Sequence, residues 1–234
     1  MSEFSARLEG TAEKDTERTR TGIWLLIFAT LLSWIPYLNI LGFILGAAGV
    51  ILIILSRGTF GGNHYNYPVA AAVIFVVGTV IAFILVLSFA TDITSMAASG
   101  SLTVSSALSA LSSLYAGVII AGLITGLSYV LILYALEDRF GRILAWCGFA
   151  AQVVVISVAT LVTYAIVKSG MVAALSSNPP NSAALASVIA ELNGIGYLKL
   201  LDAIPVILFA IAYWTVIRRI DRNEIPEIAV GVAP

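Results

Sequence analysis

Four long apolar segments decide what this chain can fold into. Each holds about 20 mostly apolar residues, the length that an α-helix needs to cross the hydrocarbon core of a bilayer. A soluble fold could not cover so much apolar surface, because 60% of the 234 residues are hydrophobic and 11% are charged, against about 25% charged in soluble proteins. The sequence therefore predicts an all-α, polytopic membrane protein. The four segments are Pro68–Ala90, Leu114–Leu136, Ile143–Val167 and Tyr197–Ile217.

An earlier apolar run, Gly22–Ser56, is too long for one crossing. Its 35 residues would form a helix of about 52 Å, well beyond the roughly 30 Å core. Pro36 lacks a backbone N–H donor, and Asn39 is a typical turn or capping residue. We therefore predict a hairpin that turns at Ser33–Asn39, which gives six transmembrane helices. Its two helices are predicted over about Thr16–Ile35 and Asn39–Ser56.

The basic residues favour this six-span arrangement. With both termini in the cytoplasm, ten of the 12 basic residues lie on the inner side, as the positive-inside rule expects. A single crossing by Gly22–Ser56 is the alternative, and its best topology divides the basic residues six and six. The two outer residues are Lys168 and Lys199. The ten inner residues are Arg7, Lys14, Arg18, Arg20, Arg57, Arg139, Arg142, Arg218, Arg219 and Arg222.

Polar segments flank the predicted transmembrane domain, residues 21–217. Residues 1–20 form a polar cytoplasmic tail without the apolar stretch of a signal peptide, and residues 218–234 form a cytoplasmic C-terminal tail. We expect two outer loops, at residues 91–113 and 168–196. The second loop contains a predicted short helix, Ser182–Asn193, with Gly194 as its C-cap.

Three polar residues in the predicted spans form the candidate site for transport or ion binding. Asp202 is the one acidic residue inside the four long apolar segments, and Lys199 precedes it by three residues, so the two can pair on one helix face. A charge inside the bilayer costs about 2.5–3.5 kcal/mol on insertion scales. Gln152 is expected to hydrogen-bond a neighbouring helix. The alternative is that Lys199 and Asp202 form an ion pair that only anchors the helix end.

Glycines four residues apart indicate close helix packing. Gly42 and Gly46 lie on one face of the second predicted span, and Gly122 and Gly126 lie on one face of the fourth. Small residues at this spacing let helix backbones approach closely. The pattern is compatible with packing inside the chain and with an interface to another subunit or a second copy.

Residue types that bind cofactors are scarce. His64 is the only histidine and Cys147 the only cysteine. Zinc needs three or four ligands, and a membrane haem usually needs axial ligands such as histidine within a span. No common catalytic or nucleotide-binding motif is present, and the net charge of −1 gives no basic surface for nucleic acid. We therefore predict no cofactor, no metal, no nucleic-acid partner and no enzyme activity, with His64 as an interfacial loop residue.

The segment WIPYLNILGFILGAAGVILIIL resembles uncharacterised small multi-pass membrane proteins of archaea. Those families share an aromatic-Ile-Pro-Tyr turn followed by a helix with spaced glycines, which matches Trp34–Tyr37 and Gly42, Gly46 and Gly49 here. The similarity covers roughly residues 20–90. It implies a location in the plasma membrane, and it assigns no catalytic or binding residues.

Two function classes follow from these patterns. The first is a non-enzymatic accessory or structural membrane subunit that packs against lipid, other membrane proteins or a second copy. The second is a small transporter or channel with a polar site near Asp202 and Lys199. The apolar spans and the glycine faces favour the first class, since an aqueous path needs polar groups along its whole length.

Overall fold

The computed structural model is mainly helical in the residues it describes, which are 2–33, 35, 37–56, 60, 62–176, 182–194 and 196–225. Within them it has seven α-helices, one 3₁₀-helix and no strand. The predicted all-α class is therefore confirmed. The α-helices are α1 (Ser2–Ser33), α2 (Asn39–Leu55), α3 (Gly62–Ala98), α4 (Val104–Leu131), α5 (Arg139–Ser176), α6 (Ser182–Gly194) and α7 (Ala203–Asp221), and the 3₁₀-helix is Gly196–Asp202.

Four helical segments are long and apolar enough to cross a membrane, and they contain or overlap the four apolar segments of the sequence. Helix α2 has 17 residues, so it is about 26 Å long and is a shorter apolar helix. Helix α1 is not among the four. The four segments are Asn66–Ala98, Val104–Leu131, Arg139–Ser176 and Leu200–Asp221.

The first predicted outer loop, residues 91–113, is mostly helical. Helix α3 continues to Ala98 and α4 begins at Val104, so only residues 99–103 connect them. Serine and threonine hydroxyls explain the difference, because they bond carbonyls of their own helix and so remain compatible with it. Thr94 is an example, since its Oγ1 donates to the carbonyl of Ala90 at 2.8 Å.

The second predicted outer loop, residues 168–196, is also largely helical. Helix α5 continues to Ser176, and α6 covers the short helix expected at Ser182–Asn193. On α6, Val188 is buried and Ile189 is 62% exposed, so the apolar stripe is only partly covered. The predicted cap at Asn181 lies outside the described residues.

Helices α1 and α2 form an antiparallel hairpin. Helix α1 ends at Ser33 and α2 begins at Asn39, at the bounds predicted for the turn, whose Trp34 and Pro36 lie outside the described residues. The N-terminal tail differs from the prediction, because α1 begins at Ser2 instead of near Thr16. At the other end of the hairpin, the buried hydroxyls of Thr19 and Ser56 are 2.6 Å apart.

Glycine is required where the two backbones of the hairpin are closest. A Cβ built on Gly49 would lie 2.7 Å from the carbonyl oxygen of Gly22, a distance that real Cβ atoms do not reach. A Cβ on Gly46 would meet only the Cβ of Ala29, at an ordinary 3.4 Å. These two positions on one helix therefore differ in their tolerance of a methyl group.

We expect Gly49→Ala to lower the free energy of unfolding by about 1–3 kcal/mol, because the methyl group forces the backbones of α1 and α2 apart. Gly46→Ala is the matched control. It should be neutral or slightly stabilising, since alanine is the better helix former by about 1 kcal/mol. Thermal unfolding of both variants in detergent tests this, and equal losses at both positions would contradict the packing described here.

The chain divides into two compact units. Unit 1 comprises residues 1–75, 126–152 and 202–234, and unit 2 comprises residues 76–125 and 153–201. The core of unit 1 contains Tyr213, Val216 and Val130, which are fully buried. In unit 2, the rings of Tyr115 and Tyr164 lie 5.6 Å apart. Helices α3, α4 and α5 contribute residues to both units.

Candidate functional site

Asp202 lies at the junction between the 3₁₀-helix and α7. It immediately precedes α7, its backbone is helical (φ −62°, ψ −20°), and its side chain makes no capping hydrogen bond to that helix. The side chain is half-buried. The side chain of Lys199 lies outside the described part of the chain, so the ion pair between these two residues stays a prediction.

Gln152 on α5 packs against Gly126 on α4. Its Oε1 lies 2.9 Å from the position that a Cβ on Gly126 would take. Among the described residues, this oxygen is buried and has no hydrogen-bond partner. Gln152 therefore contacts the neighbouring helix through Oε1, which packs on a glycine, and the hydrogen bond expected from this side chain stays a prediction.

Helices α5 and α7 pack antiparallel, which fixes the relative levels of the polar residues described above. Gly141 is next to Thr215, and Gly148 is next to Phe209. The glutamine lies one turn beyond Gly148, and the aspartate lies about two turns before Phe209. Both side chains therefore belong to the same end of this helix pair, at levels that differ by about 5 Å along the axis.

The four glycines singled out in the sequence all face another helix of the same chain. A Cβ on Gly42 would meet the carbonyl oxygen of Ala29 at 2.9 Å, and a Cβ on Gly122 would meet Cδ1 of Ile156 at the same distance. Gly46 and Gly126 face Ala29 and Gln152. All four therefore take part in packing within the chain, and Gly46 and Gly122 remain partly exposed.

The most unusual ionisable group is Glu137, which lies between α4 and α5. It is 2% exposed, and neither carboxylate oxygen has a hydrogen-bond partner in the described ranges. Burial raises the pKa of Glu137 from its usual 4.5 to about 7, while Arg142 acts to lower it and Asp138 adds to the rise. The next residue, Asp138, caps α5, because its Oδ1 accepts the backbone N–H of Gly141 at 2.7 Å.

Two arginines bind backbone carbonyls of the turn that carries this carboxyl group. Arg142 donates from Nε to the carbonyl of Tyr134 at 3.2 Å, and its guanidinium lies 4.7 Å from the centre of the Tyr134 ring. Arg219 of α7 donates from Nη1 to the carbonyl of Leu136. Both bonds satisfy carbonyls that follow the end of α4. The arginines therefore hold the turn that positions Glu137.

His64 is buried in the first turn of α3, in contrast to the predicted interfacial loop position. It is 1% exposed, and neither ring nitrogen has a hydrogen-bond partner among the described residues. Its ring meets Phe60 edge-on at 5.3 Å. Burial lowers the pKa of His64 from 6.5 to about 4. The neutral imidazole is therefore the form that the fold favours.

His64 and Glu137 belong to the same end of unit 1. One turn after His64, the ring of Tyr67 packs against Tyr134 at 5.4 Å, and Tyr134 precedes Glu137 by three residues. The first turns of α3 and the α4–α5 turn are thereby joined through aromatic rings. We call Phe60, His64, Tyr67, Tyr134, Glu137, Arg142 and Arg219 the inner cluster.

A separate groove of about 320 Å³ lies in unit 2 between α3 and α4. Asp92 and Ser88, four residues apart on α3, line one wall, and Ser109 and Ser113 of α4 line the other. In the described part of the chain, the Asp92 carboxylate makes no ion pair or hydrogen bond. Ser106 of α4 also lines the groove, and the apolar side chains of the lining are Leu85, Phe89, Met96, Ala110 and Leu114.

Sequence reasoning missed both Asp92 and Glu137. The end of the apolar run at Ala90 predicts a loop at Asp92, whereas α3 continues through the following serine- and threonine-containing sequence to Ala98. Glu137 begins the charged segment EDRFGR. It directly follows an apolar stretch and directly precedes Asp138, the N-cap of α5, and this position could have indicated its burial. Within the described residues, no group of three or more histidine, cysteine, aspartate or glutamate side chains is placed to hold a metal ion.

Comparison with known proteins does not assign a function to this chain. The chain matches no protein-family model, no curated protein and no solved structure. The resemblance to archaeal membrane proteins over residues 20–90 therefore stays a prediction. What the chain does has to be inferred from its packed apolar helices, the inner cluster and the groove in unit 2.

Proposed function

We propose that this protein is a non-enzymatic accessory or structural subunit of the plasma membrane. The observation that carries the proposal is the aromatic filling of unit 1. The ring of Tyr129 lies 6.4 Å from Phe75 and 5.6 Å from Phe209, and the hydroxyl of Tyr213 donates to the carbonyl of Tyr129 at 2.7 Å. A conduit needs polar groups that face each other along its length, whereas this part of unit 1 is packed with aromatic rings.

The surfaces of the spans support the same role. In the most apolar part of each of the four long helices, between 11% and 33% of the residues are buried within the chain, so most residues there are at least partly exposed and can contact lipid or other membrane proteins. On α3 the exposed side chains include Val76, Val80 and Phe83. Because the packing glycines are used inside the chain, a partner would meet these larger side chains.

The test is the state of the protein in gently solubilised native membranes. With a tag at the C-terminus, we expect stoichiometric copurification with a defined set of membrane proteins, and no solute or ion flux after reconstitution of this chain alone. Recovery of a monomer or homo-oligomer that carries flux in liposomes would overturn the proposal. A variant of the exposed α3 face, Phe83→Ala, should fold normally and weaken the association if that face is used.

A small transporter is the second candidate, because Gln152 and Asp202 lie at neighbouring levels of the packed helices α5 and α7. This candidate predicts flux in liposomes that Asp202→Asn abolishes. Asp221→Asn is the matched control, since Asp221 is an exposed acid at the end of α7 that pairs with Arg20 at 3.3 Å. Flux that is equal in all three proteins, or absent from all, would exclude a transport site at Asp202.

We also propose the six-span topology, with both termini in the cytoplasm. In a Cys147→Ser background, single cysteines at exposed positions report the side of the membrane. We expect an impermeant maleimide to label Tyr37→Cys and Ser101→Cys in intact cells, and to label Glu13→Cys only after permeabilisation. Tyr37 suits this test because it is 94% exposed. Protection of Tyr37→Cys would leave four spans, and external labelling of Glu13→Cys would contradict a cytoplasmic N-terminus.

A further inference from the structure

We infer that the groove between α3 and α4 in unit 2 binds an alkylammonium group, that is, a primary amine carried on a short hydrocarbon chain. This inference is independent of the accessory role proposed above, because the groove belongs to unit 2 and uses none of the inner cluster. Three properties of the groove lead to it: its charge, its hydrogen-bonding groups and its size.

The charge of the groove comes from Asp92. Among the described residues no lysine or arginine pairs with this carboxylate, so one negative charge faces the groove without a protein cation. A primary ammonium carries one positive charge and three N–H donors. The carboxylate can accept one of them in a charge-assisted hydrogen bond, which is stronger than a bond between neutral groups.

Serine hydroxyls supply the remaining acceptors. Ser88 lies one turn before Asp92 on α3, and Ser109 and Ser113 lie one turn apart on α4, so each pair shares a helix face. In the described ranges the hydroxyls of these three serines make no hydrogen bond to protein. Two helices therefore present hydroxyl groups to the same groove as the carboxylate, which matches the three donors of an ammonium group.

The size and the apolar lining of the groove suit an organic cation better than a bare inorganic cation. A volume of about 320 Å³ corresponds to roughly ten water molecules, whereas calcium or magnesium needs several oxygen ligands at short distances. Phe89 and Met96 are among the apolar side chains of the lining, and an aromatic ring also attracts an organic cation. A hydrocarbon chain next to the ammonium group would pack against these apolar side chains.

Two sources can supply such a group, a free alkylamine and the ethanolamine headgroup of a phospholipid. Both offer N–H donors and a positive charge. A choline headgroup has the charge but no N–H donor, so it should bind poorly at a site built from a carboxylate and hydroxyls. This difference separates the proposed hydrogen bonding from simple charge attraction.

The experiment uses the full-length protein in a neutral detergent and a trifluoromethyl-tagged hexylammonium ion observed by fluorine NMR. We expect saturable binding that is about tenfold weaker in Asp92→Asn and about threefold weaker in Ser109→Ala. Glu191→Gln, which removes an exposed acid of unit 2 outside the groove, should bind like the unaltered protein. All the substituted side chains are exposed, so the folds of these variants should be unchanged.

Competition then identifies the source. Displacement of the probe by bicelles that contain phosphatidylethanolamine, but not by phosphatidylcholine bicelles, assigns the groove to a lipid headgroup, and displacement by soluble alkylamines alone assigns it to a free solute. Equal affinity in Asp92→Asn and the unaltered protein would overturn the inference. So would an absence of saturable binding, or complete displacement by millimolar calcium.

Discussion

Replacing Glu137 with glutamine is expected to stabilise the folded protein by about 3 kcal/mol at pH 8 and to change its stability little at pH 4. Burial raises the pKa of Glu137 from 4.5 to about 7, so between these values the folded state binds a proton that the unfolded state has lost. The stability linked to this group is complete below pH 4.5 and is lost as the pH rises through 7. Glutamine has the same shape and never acquires the charge.

The measurement for Glu137→Gln is the free energy of unfolding in mixed micelles between pH 4 and pH 8. The shift corresponds to about 3 kcal/mol at 1.36 kcal/mol per pKa unit. Glu191→Gln is the control, because an exposed acid on α6 should leave the pH profile unchanged. Parallel profiles for Glu137→Gln and the unaltered protein would show that Glu137 finds a partner for its charge, for example one of the two nearby arginines.

Replacing His64 with phenylalanine is expected to have the opposite effect on the pH profile. Burial lowers the pKa of His64 from 6.5 to about 4, so between these pH values the unfolded state binds a proton and the folded state does not. The stability linked to this group is complete above pH 6.5 and falls by about 3 kcal/mol as the pH drops to 4. Phenylalanine removes that acid sensitivity and retains the edge contact with Phe60.

At pH 7.5 His64→Phe should be neutral or stabilising by about 1 kcal/mol, because it removes two ring nitrogens that have no partner among the described residues. Unfolding between pH 4 and pH 7.5 checks both parts of this expectation. His64→Leu serves as a second neutral variant, in case the larger ring does not fit. An unchanged loss of stability in acid for both variants would show that His64 is protonated in the folded protein.

Together these two groups give opposite slopes in an overlapping pH window. Between about pH 4.5 and 6.5, the folded protein gains stability through His64 and loses it through Glu137 as the pH rises. The contributions are of similar size, so the inner cluster of the unaltered protein adds little net pH dependence there. Replacing either residue should therefore reveal the pH dependence of stability that comes from the other residue. Replacing both should remove both contributions.

Apolar length alone predicted most of the helical architecture. The four long apolar segments became helices because any backbone polar group left unpaired in lipid costs several kcal/mol, and a helix pairs them within the segment. The bounds of the turn between Ser33 and Asn39 followed from proline and asparagine chemistry. The outer ends of α3 and α5 did not follow, since serine and threonine fit a loop or a helix depending on local hydrogen bonding.

The candidate sites were harder to predict, because they depend on which helices meet. Glu137 has an ordinary sequence context. Its burial results from the packing of unit 1, which the spacing of neighbouring residues in the sequence does not predict. Asp92 becomes part of a groove only because α4 begins at Val104 and brings Ser109 opposite it. Gln152 was recognised as polar, but its neighbour Gly126 is set by the pairing of α4 with α5.

The close contact between Gly22 and Gly49 has a consequence for how the chain is made. Helix α1 has only a short apolar stretch and is not apolar enough to be retained in a bilayer alone, so in the proposed topology it depends on α2. Gly49 follows Gly22 by 27 residues (49 − 22), so the contact can form only after most of α2 has been synthesised. In the proposed topology we therefore expect α1 and α2 to enter the bilayer as a pair, with a dependence on the Gly22–Gly49 contact that begins during biosynthesis.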